Sequence, residues 1–191
     1  MRLFLAVNFA EATLAPVRAL FPSLEHVAPK ARWAHFETLH LTLAFLGETP
    51  AERLDAVREA MTLAAASHGP LLLGLARGGT FGSPSHPRVL WVDVSGDVEG
   101  LLVVQKRLAG ELRALDFPLE DRAFRAHLTL ARAREPRGDR HLADCVSALA
   151  ALEAPACTVD AILLYQSHLG PHGARHELLH AERLRGGAAA D

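Results

Sequence analysis

Apolar and polar positions alternate along "TLHLTLAFLG", residues 38–47. Leu39, Leu41 and Leu43 are apolar, and His40 and Thr42 interrupt them. A strand sends successive side chains to opposite faces. The segment therefore predicts a strand with one leucine face and one face on which an imidazole stands beside a hydroxyl. "RAHLTLARAR", residues 125–134, repeats the pattern with His127 and Thr129. The stretch HLTLA is identical in both and recurs after 87 residues, from His40 to His127.

The same alternation predicts strands over "RLFLAVNF", "LLLGLARGGTFG" (running into a glycine-rich turn) and "RVLWVDVSG". It also predicts the closing pair "CTVDAILLYQSHLG" and "HELLHAERLR", joined by the turn "GPHG". Helical spacing of Leu14, Val17, Leu20 and Phe21 predicts a helix over residues 11–24. A second helix is expected to open with Thr49 as N-cap and Pro50 at the first helical position. A third, "DVEGLLVVQKRLAGELRAL", has Asp97 or a neighbour as its cap, and "DRHLADCVSALAAL" reads as a fourth. "GSPSHP" is a loop.

Strand, helix, histidine strand, helix, strand is an order that occurs twice. Each histidine strand is followed by a polar turn with a proline (Pro50, Pro136) and then a helix. Two similar halves imply an α+β fold of two lobes related by a pseudo-twofold axis. Each lobe is expected to be a mainly antiparallel sheet with helices on its outer face. The lobes are set at about 1–82 and 88–185, not strictly segregated, within a single domain over 1–185. The symmetric place for both His-Thr faces is a groove between them. Residues 186–191 read as a frayed tail.

At 191 residues, half of them hydrophobic, the chain can bury a sizeable core. A net charge of -2 excludes coating of long nucleic acid by charge alone, and leaves short or terminal nucleic-acid substrates open. Of 20 basic residues only Lys30 and Lys106 are lysines. Arginine suits bidentate phosphate contacts, although a GC-rich genome also produces this bias. Cys145 and Cys157 lack metal or redox spacing, which fits a reducing cytoplasm without disulfides. No apolar run approaches the ~18 residues of a membrane span, and the opening apolar run is broken by Asn8 and Glu11. The expectation is a soluble cytoplasmic protein.

Two H-x-T-x motifs about ninety residues apart, each on a strand of a duplicated α+β chain, resemble the 2H phosphoesterase superfamily. In particular they are similar to its bacterial and archaeal 2′-5′ RNA ligase-like branch, the RNA 2′,3′-cyclic phosphodiesterases. "LHLTLAFLGE" and "FRAHLTLAR" resemble the family's two motifs, "RLFLAVNF" its opening strand, "RVLWVDV" its middle strand, and "LLYQSHLGPHGARHELL" its closing hairpin. One departure is His176, where relatives often carry a tyrosine. The resemblance implies hydrolysis of RNA ends bearing 2′,3′-cyclic phosphate to 2′-phosphates, with no cofactor, by a chain expected to act as a monomer. It also implies that His40 donates the proton to the leaving 3′-oxygen while His127 is the base for water. A weak reverse joining of RNA through a 2′-5′ bond would be a side activity.

The residues suit that chemistry in their own right. Opening a cyclic phosphate needs an activated water on one side of phosphorus and a proton for the leaving oxygen on the other. One neutral imidazole and one imidazolium supply both, and the residues alone leave open which histidine does which. With two unperturbed histidines at pH 7 the required state is roughly a fifth of the population. Thr42 and Thr129 can donate to the nonbridging oxygens, and no metal is required. Arg125 shares the parity of His127 and could bind phosphate. Arg132 has the opposite parity yet matches the family's motif-end arginine, so a bulge or the strand's end would have to turn it inward.

Blander readings exist for each residue. A lone histidine on a half-buried strand is ordinarily structural, and threonine is an ordinary strand former; recurrence of the pair is what points to chemistry. His168, His172, His176 and His180 repeat every four residues, but Pro171 and Gly173 interrupt any helix, so no metal site is expected there. Phe4, Trp33, Phe45 and Trp91 could stack on bases, with core packing the alternative. Rival functions are a 2H enzyme for another small cyclic phosphate and a non-catalytic module that binds RNA ends.

Overall fold

The computed structural model describes residues 1–170 and 173–186. The chain runs β1 (Arg2–Val7), α1 (Glu11–Val27), β2 (Arg32–Trp33), β3 (Leu41–Glu48), α2 (Leu54–Ala65), β4 (Leu71–Gly82) and β5 (Pro87–Gly96). It continues through α3 (Val98–Ala114), β6 (His127–Arg132), α4 (His141–Asp144), α5 (Val146–Leu149), β7 (Cys157–Val159), β8 (Ala161–Gly170) and β9 (Gly173–Arg183). The fold is α+β, with a four-stranded sheet ordered β3-β1-β8-β9 and a five-stranded sheet ordered β2-β6-β5-β4-β7. The pairings within both sheets are antiparallel.

The leucine face of each motif strand enters the core. Leu41 and Leu43 of β3 and Leu128 and Leu130 of β6 are buried, as are Leu3, Leu5 and Val7 of β1. Helix α2 lies over β8 and β9 and α3 against β3, while α1, α4 and α5 lie over β4. The apolar stripes Val57, Ala60, Met61 and Leu101, Val104, Leu108 are closed from water. Asp97 caps α3, its carboxylate accepting from the Gly100 N–H at 3.0 Å.

The two halves of the sequence interleave. β8 and β9 return beside β1, whereas β4 lies beside β5. β3 is an edge of one sheet and β6 is held inside the other by the short β2, and the two motif strands approach each other across the sheets.

Several local expectations change. Thr49 is not an N-cap: it is buried, its hydroxyl donates to the Gly47 carbonyl at 3.3 Å, and a 3-10 turn over Ala51–Arg53 precedes α2. α1 runs on to Val27 through Pro16 and Pro22. The expected fourth helix is two single turns, α4 and α5. The closing strand from Cys157 breaks at Asp160, so β7 joins one sheet and β8 the other. β4 does not stop at its glycines. A Cβ on Gly78 would stand 2.4 Å from the Leu149 side chain and one on Gly79 2.4 Å from the Trp91 ring. These glycines let side chains cross the strand closely. The expected tail, from residue 187 on, and the Pro171 and His172 of the expected turn lie outside the described residues. Among the described residues no helix is long and apolar enough to cross a membrane.

Candidate active site

The two motifs are built alike down to single hydrogen bonds. The Nδ1–H of His40 donates to the Thr38 carbonyl at 2.7 Å, and that of His127 donates to the Arg125 carbonyl at 2.7 Å. A carbonyl oxygen only accepts, so each neutral ring carries its proton on Nδ1 and leaves Nε2 as a bare base. The Thr38 carbonyl is fixed by a 3-10 turn over Phe36–Thr38, in which the Thr38 hydroxyl and N–H both donate to the His35 carbonyl, at 2.8 and 2.9 Å. Each ring also leans on a phenylalanine. His40 lies 4.7 Å from Phe4, and His127 lies edge-on 4.9 Å from Phe81.

Each motif strand has an irregularity at the same residue. Ala44 pairs with Leu5 and Thr42 with Ala6, so Leu43 is the extra residue of β3. Ala131 pairs with Leu90 and Thr129 with Trp91, so Leu130 is the extra residue of β6. A bulge reverses parity beyond it. Thr129 and Arg132 therefore pair with Trp91 and Val89, which share a face of β5. Arg132 turns to the side of His127, and its charge lowers the proton affinity of that imidazole. The same slip in β3 puts Phe45 on the side of Thr42, since their partners Phe4 and Ala6 share a face of β1. Phe45 is 53% exposed. Phe4 and Trp91 are buried, and Trp33 packs on Phe21 with its indole N–H donating to the Ala28 carbonyl, so of the four aromatics only Phe45 is exposed.

Arg125 precedes β6. Its guanidinium lies 4.1 Å over the Trp91 ring and 3.8 Å from the Asp93 carboxylate. Asp93 pairs with His127 and faces the same side. The hydroxyls of Thr42 and Thr129 make no hydrogen bond to other described residues, so both remain available to a ligand. Around His40 a cavity of about 200 Å³ is lined by Asn8, Glu37, Tyr165 and His176 among others. Asn8 donates to the Tyr165 hydroxyl at 2.8 Å. A wider cleft of about 630 Å³ at Arg77, Ser95 and Glu153 is lined by neither motif histidine.

Sequence reading did not single out Phe81, Asp93, Asn8 or Tyr165. The parity of "RVLWVDV" carried a usable signal for Asp93, because Trp91 and Asp93 alternate there as His127 and Thr129 do. Among the described residues no cluster of three metal-ligating side chains occurs, and His168 pairs instead with Glu177 at 2.9 Å.

Both imidazoles prefer to be neutral. Burial lowers the pKa of His40 to about 4, opposed by the Thr38 hydrogen bond. Burial also lowers that of His127, opposed by the Arg125 carbonyl and reinforced by the charges of Arg132 and Arg125. The singly protonated state is therefore rarer in the ligand-free protein at pH 7 than for two unperturbed histidines. The shift of His40 has a stability consequence. Between about pH 6.5 and 4 the unfolded chain binds the proton and the folded chain does not, so stability falls as pH falls through that window. The loss from this group is roughly 2–3 kcal/mol by pH 4.5. Urea unfolding at pH 7 and pH 4.5 should show a smaller acid loss in His40→Ala than in the wild type. Equal losses would contradict a ring held neutral by burial.

A family model described as the 2′-5′ RNA ligase superfamily matches residues 10–171. An RNA 2′,3′-cyclic phosphodiesterase of Geobacillus stearothermophilus is 38% identical over 104 residues, 54% of this chain; the match spans 33% of that protein's length. One of Thermus thermophilus is 33% identical over 193 residues, covering 97% of this chain and 91% of that protein. A crystal structure of a Thermus thermophilus protein superposes with a TM-score of 0.73 at 30% identity, covering 98% of this chain and all of the other.

Proposed function

The chain belongs to the 2′-5′ RNA ligase superfamily, and from that premise we propose that it hydrolyses 2′,3′-cyclic phosphate ends of RNA to 2′-phosphomonoesters by paired-histidine acid–base catalysis. The observation that carries the reading is the pair of imidazoles, each with Nδ1–H donated to a carbonyl at 2.7 Å and Nε2 left free, on two strands that approach each other.

His127 Nε2 takes a proton from water as the water oxygen attacks phosphorus. The 3′-oxygen leaves from the opposite side and takes the proton from His40 Nε2. The P–O3′ bond breaks, the phosphate remains on the 2′-oxygen, and the site is restored as His127 releases a proton to solvent and His40 takes one up. Thr42 and Thr129 donate to the nonbridging oxygens as charge grows on them. This division of roles follows the family resemblance, and bound phosphate must raise His40 from about 4 for it to serve as the acid. Burial and then the charges of Arg132 and Arg125 oppose protonation of His127, which suits a base, while Asp93 acts the other way. His40 is depressed first by burial and further by neighbouring His176, and a bound phosphate anion favours the protonated form of both imidazoles. Arg132 and Arg125 offer the phosphate a cationic side, and exposed Phe45 offers a nucleobase a face to stack on. The same ring opening with a 5′-hydroxyl replacing water, the P–O5′ bond forming as P–O3′ breaks, would join RNA through a 2′-5′ bond.

A short RNA ending in 2′,3′-cyclic phosphate, incubated with the protein in EDTA, tests this reading. The expected product is the 2′-phosphate isomer, formed at the rate seen without chelator. Activity lost to EDTA and restored by Zn²⁺ or Mn²⁺ would overturn the acid–base mechanism. Tight binding of the product end without turnover would mark a binding module instead.

A further inference from the structure

The β8–β9 hairpin brings a third imidazole to His40. The His176 ring centroid lies 5.3 Å from that of His40, with the rings nearly perpendicular, and 4.8 Å from that of Phe4. His176 lines the same cavity as His40. Its Nδ1 is buried without a hydrogen-bond partner, and its Nε2 makes no hydrogen bond to other described residues. Leaving a buried polar group unpaired costs about 1–3 kcal/mol, and buried acceptors go unpaired more readily than buried N–H groups. The neutral ring therefore carries its proton on Nε2, the nitrogen that is not sealed in.

We propose that His176 binds substrate phosphate, its Nε2–H donating to a nonbridging oxygen held against His40 and Thr42. The assignment rests on the cyclic-phosphate reading of the site. An oxygen hydrogen-bonded to an imidazole lies about 4 Å from the ring centroid, so two rings 5.3 Å apart can both reach the oxygens of one phosphate group. A neutral donor suits this side of the groove. A cation here would oppose the proton that His40 must take up to act as acid, whereas burial keeps His176 neutral. The two sides then bind phosphate differently: arginines beside the base, an uncharged imidazole beside the acid.

His176→Phe keeps a ring against Phe4 and removes the donor, whereas His176→Gln restores an N–H near the position of Nε2. The expected result for His176→Phe is a roughly tenfold loss of kcat/KM on the cyclic RNA end, with inhibition by inorganic phosphate weakened by a similar factor. His176→Gln should recover most of both. Wild-type kinetics in His176→Phe would overturn the assignment. So would a His176→Gln as impaired as His176→Phe, because ring packing would then be the whole role. If His176→Phe does not fold, His176→Leu makes the same donor-free comparison. A wild-type protein that opens no cyclic phosphate would defeat the functional reading alone. Phosphate affinity measured by calorimetry in wild type and His176→Phe would still decide the role of His176.

Discussion

His127→Ala should lower hydrolysis of a cyclic RNA end by 10²–10⁴-fold, the range of one general acid or base, and His40→Ala should do the same on the natural substrate. The two variants separate when the leaving group changes. A 3′-sulfur-bridged analogue departs as a thiolate and needs little protonation. It should rescue His40→Ala substantially and His127→Ala little, because only the proton donor has become dispensable. The opposite rescue would exchange the roles. Rescue of neither would mean that both imidazoles act on the phosphate as electrostatic partners and that water is activated by another group. The pH profile adds a second check. The productive enzyme holds one proton between two histidines whose affinities are both depressed, His40 to about 4. The profile of kcat/KM, which reports the free enzyme, should be a bell with its maximum below pH 6.5. The kcat profile should peak at higher pH, since bound phosphate raises both imidazoles. These limbs belong to the pair and do not assign either residue.

The pairing of histidine with threonine was legible because a strand has a period of two and one buried face. Leu41, Leu43, Leu128 and Leu130 had to be on the core side, which left His40, Thr42, His127 and Thr129 on the other. What lies beyond Thr42 and Thr129 was not legible from alternation, and only the family resemblance raised the inward turn of Arg132 through a bulge or the strand's end. A bulge is a property of the pairing with the neighbouring strand, and the identical LTLA letters give no sign that Leu43 and Leu130 are unpaired. Strict alternation would send Arg132 and Phe45 away from the groove. Beyond the expectation that the lobes are not strictly segregated, the form of the interleaving was not legible, because it depends on β8 choosing β1 across more than 150 residues, a long-range choice that no local pattern records. The break at Asp160 follows from the same choice: β7 pairs with β4 while β8 pairs with β1. In the sequence His176 stood out as one member of a four-residue repeat and as the position where relatives often carry a tyrosine, with no role assigned. Only the closing hairpin's approach to the His40 segment, where the Gly173 backbone meets the His35 ring, reveals it as part of the site.

The threonines are the sharper test of transition-state stabilisation, because replacing them changes little else. Thr42 and Thr129 sit half-exposed in paired strands, opposite Ala6 and Trp91. Valine has nearly the same shape and an equal liking for strands, so Thr42→Val and Thr129→Val should fold as the wild type does. Neither hydroxyl is bonded to another described residue, so no internal partner is orphaned by its removal. Under the proposed mechanism, what is lost is a donor to oxygens that gain charge as the phosphorane forms. Removing one such donor costs ~2.7–4 kcal/mol, or roughly 10²–10³-fold in kcat. The loss should fall on kcat, with KM little changed, because the hydrogen bond strengthens as the oxygen becomes more anionic. The double variant should lose more than either alone if the hydroxyls serve different oxygens, and hardly more than one if they share one. Wild-type turnover in both single variants would return the threonines to plain strand structure and leave phosphorane stabilisation to the arginines and His176.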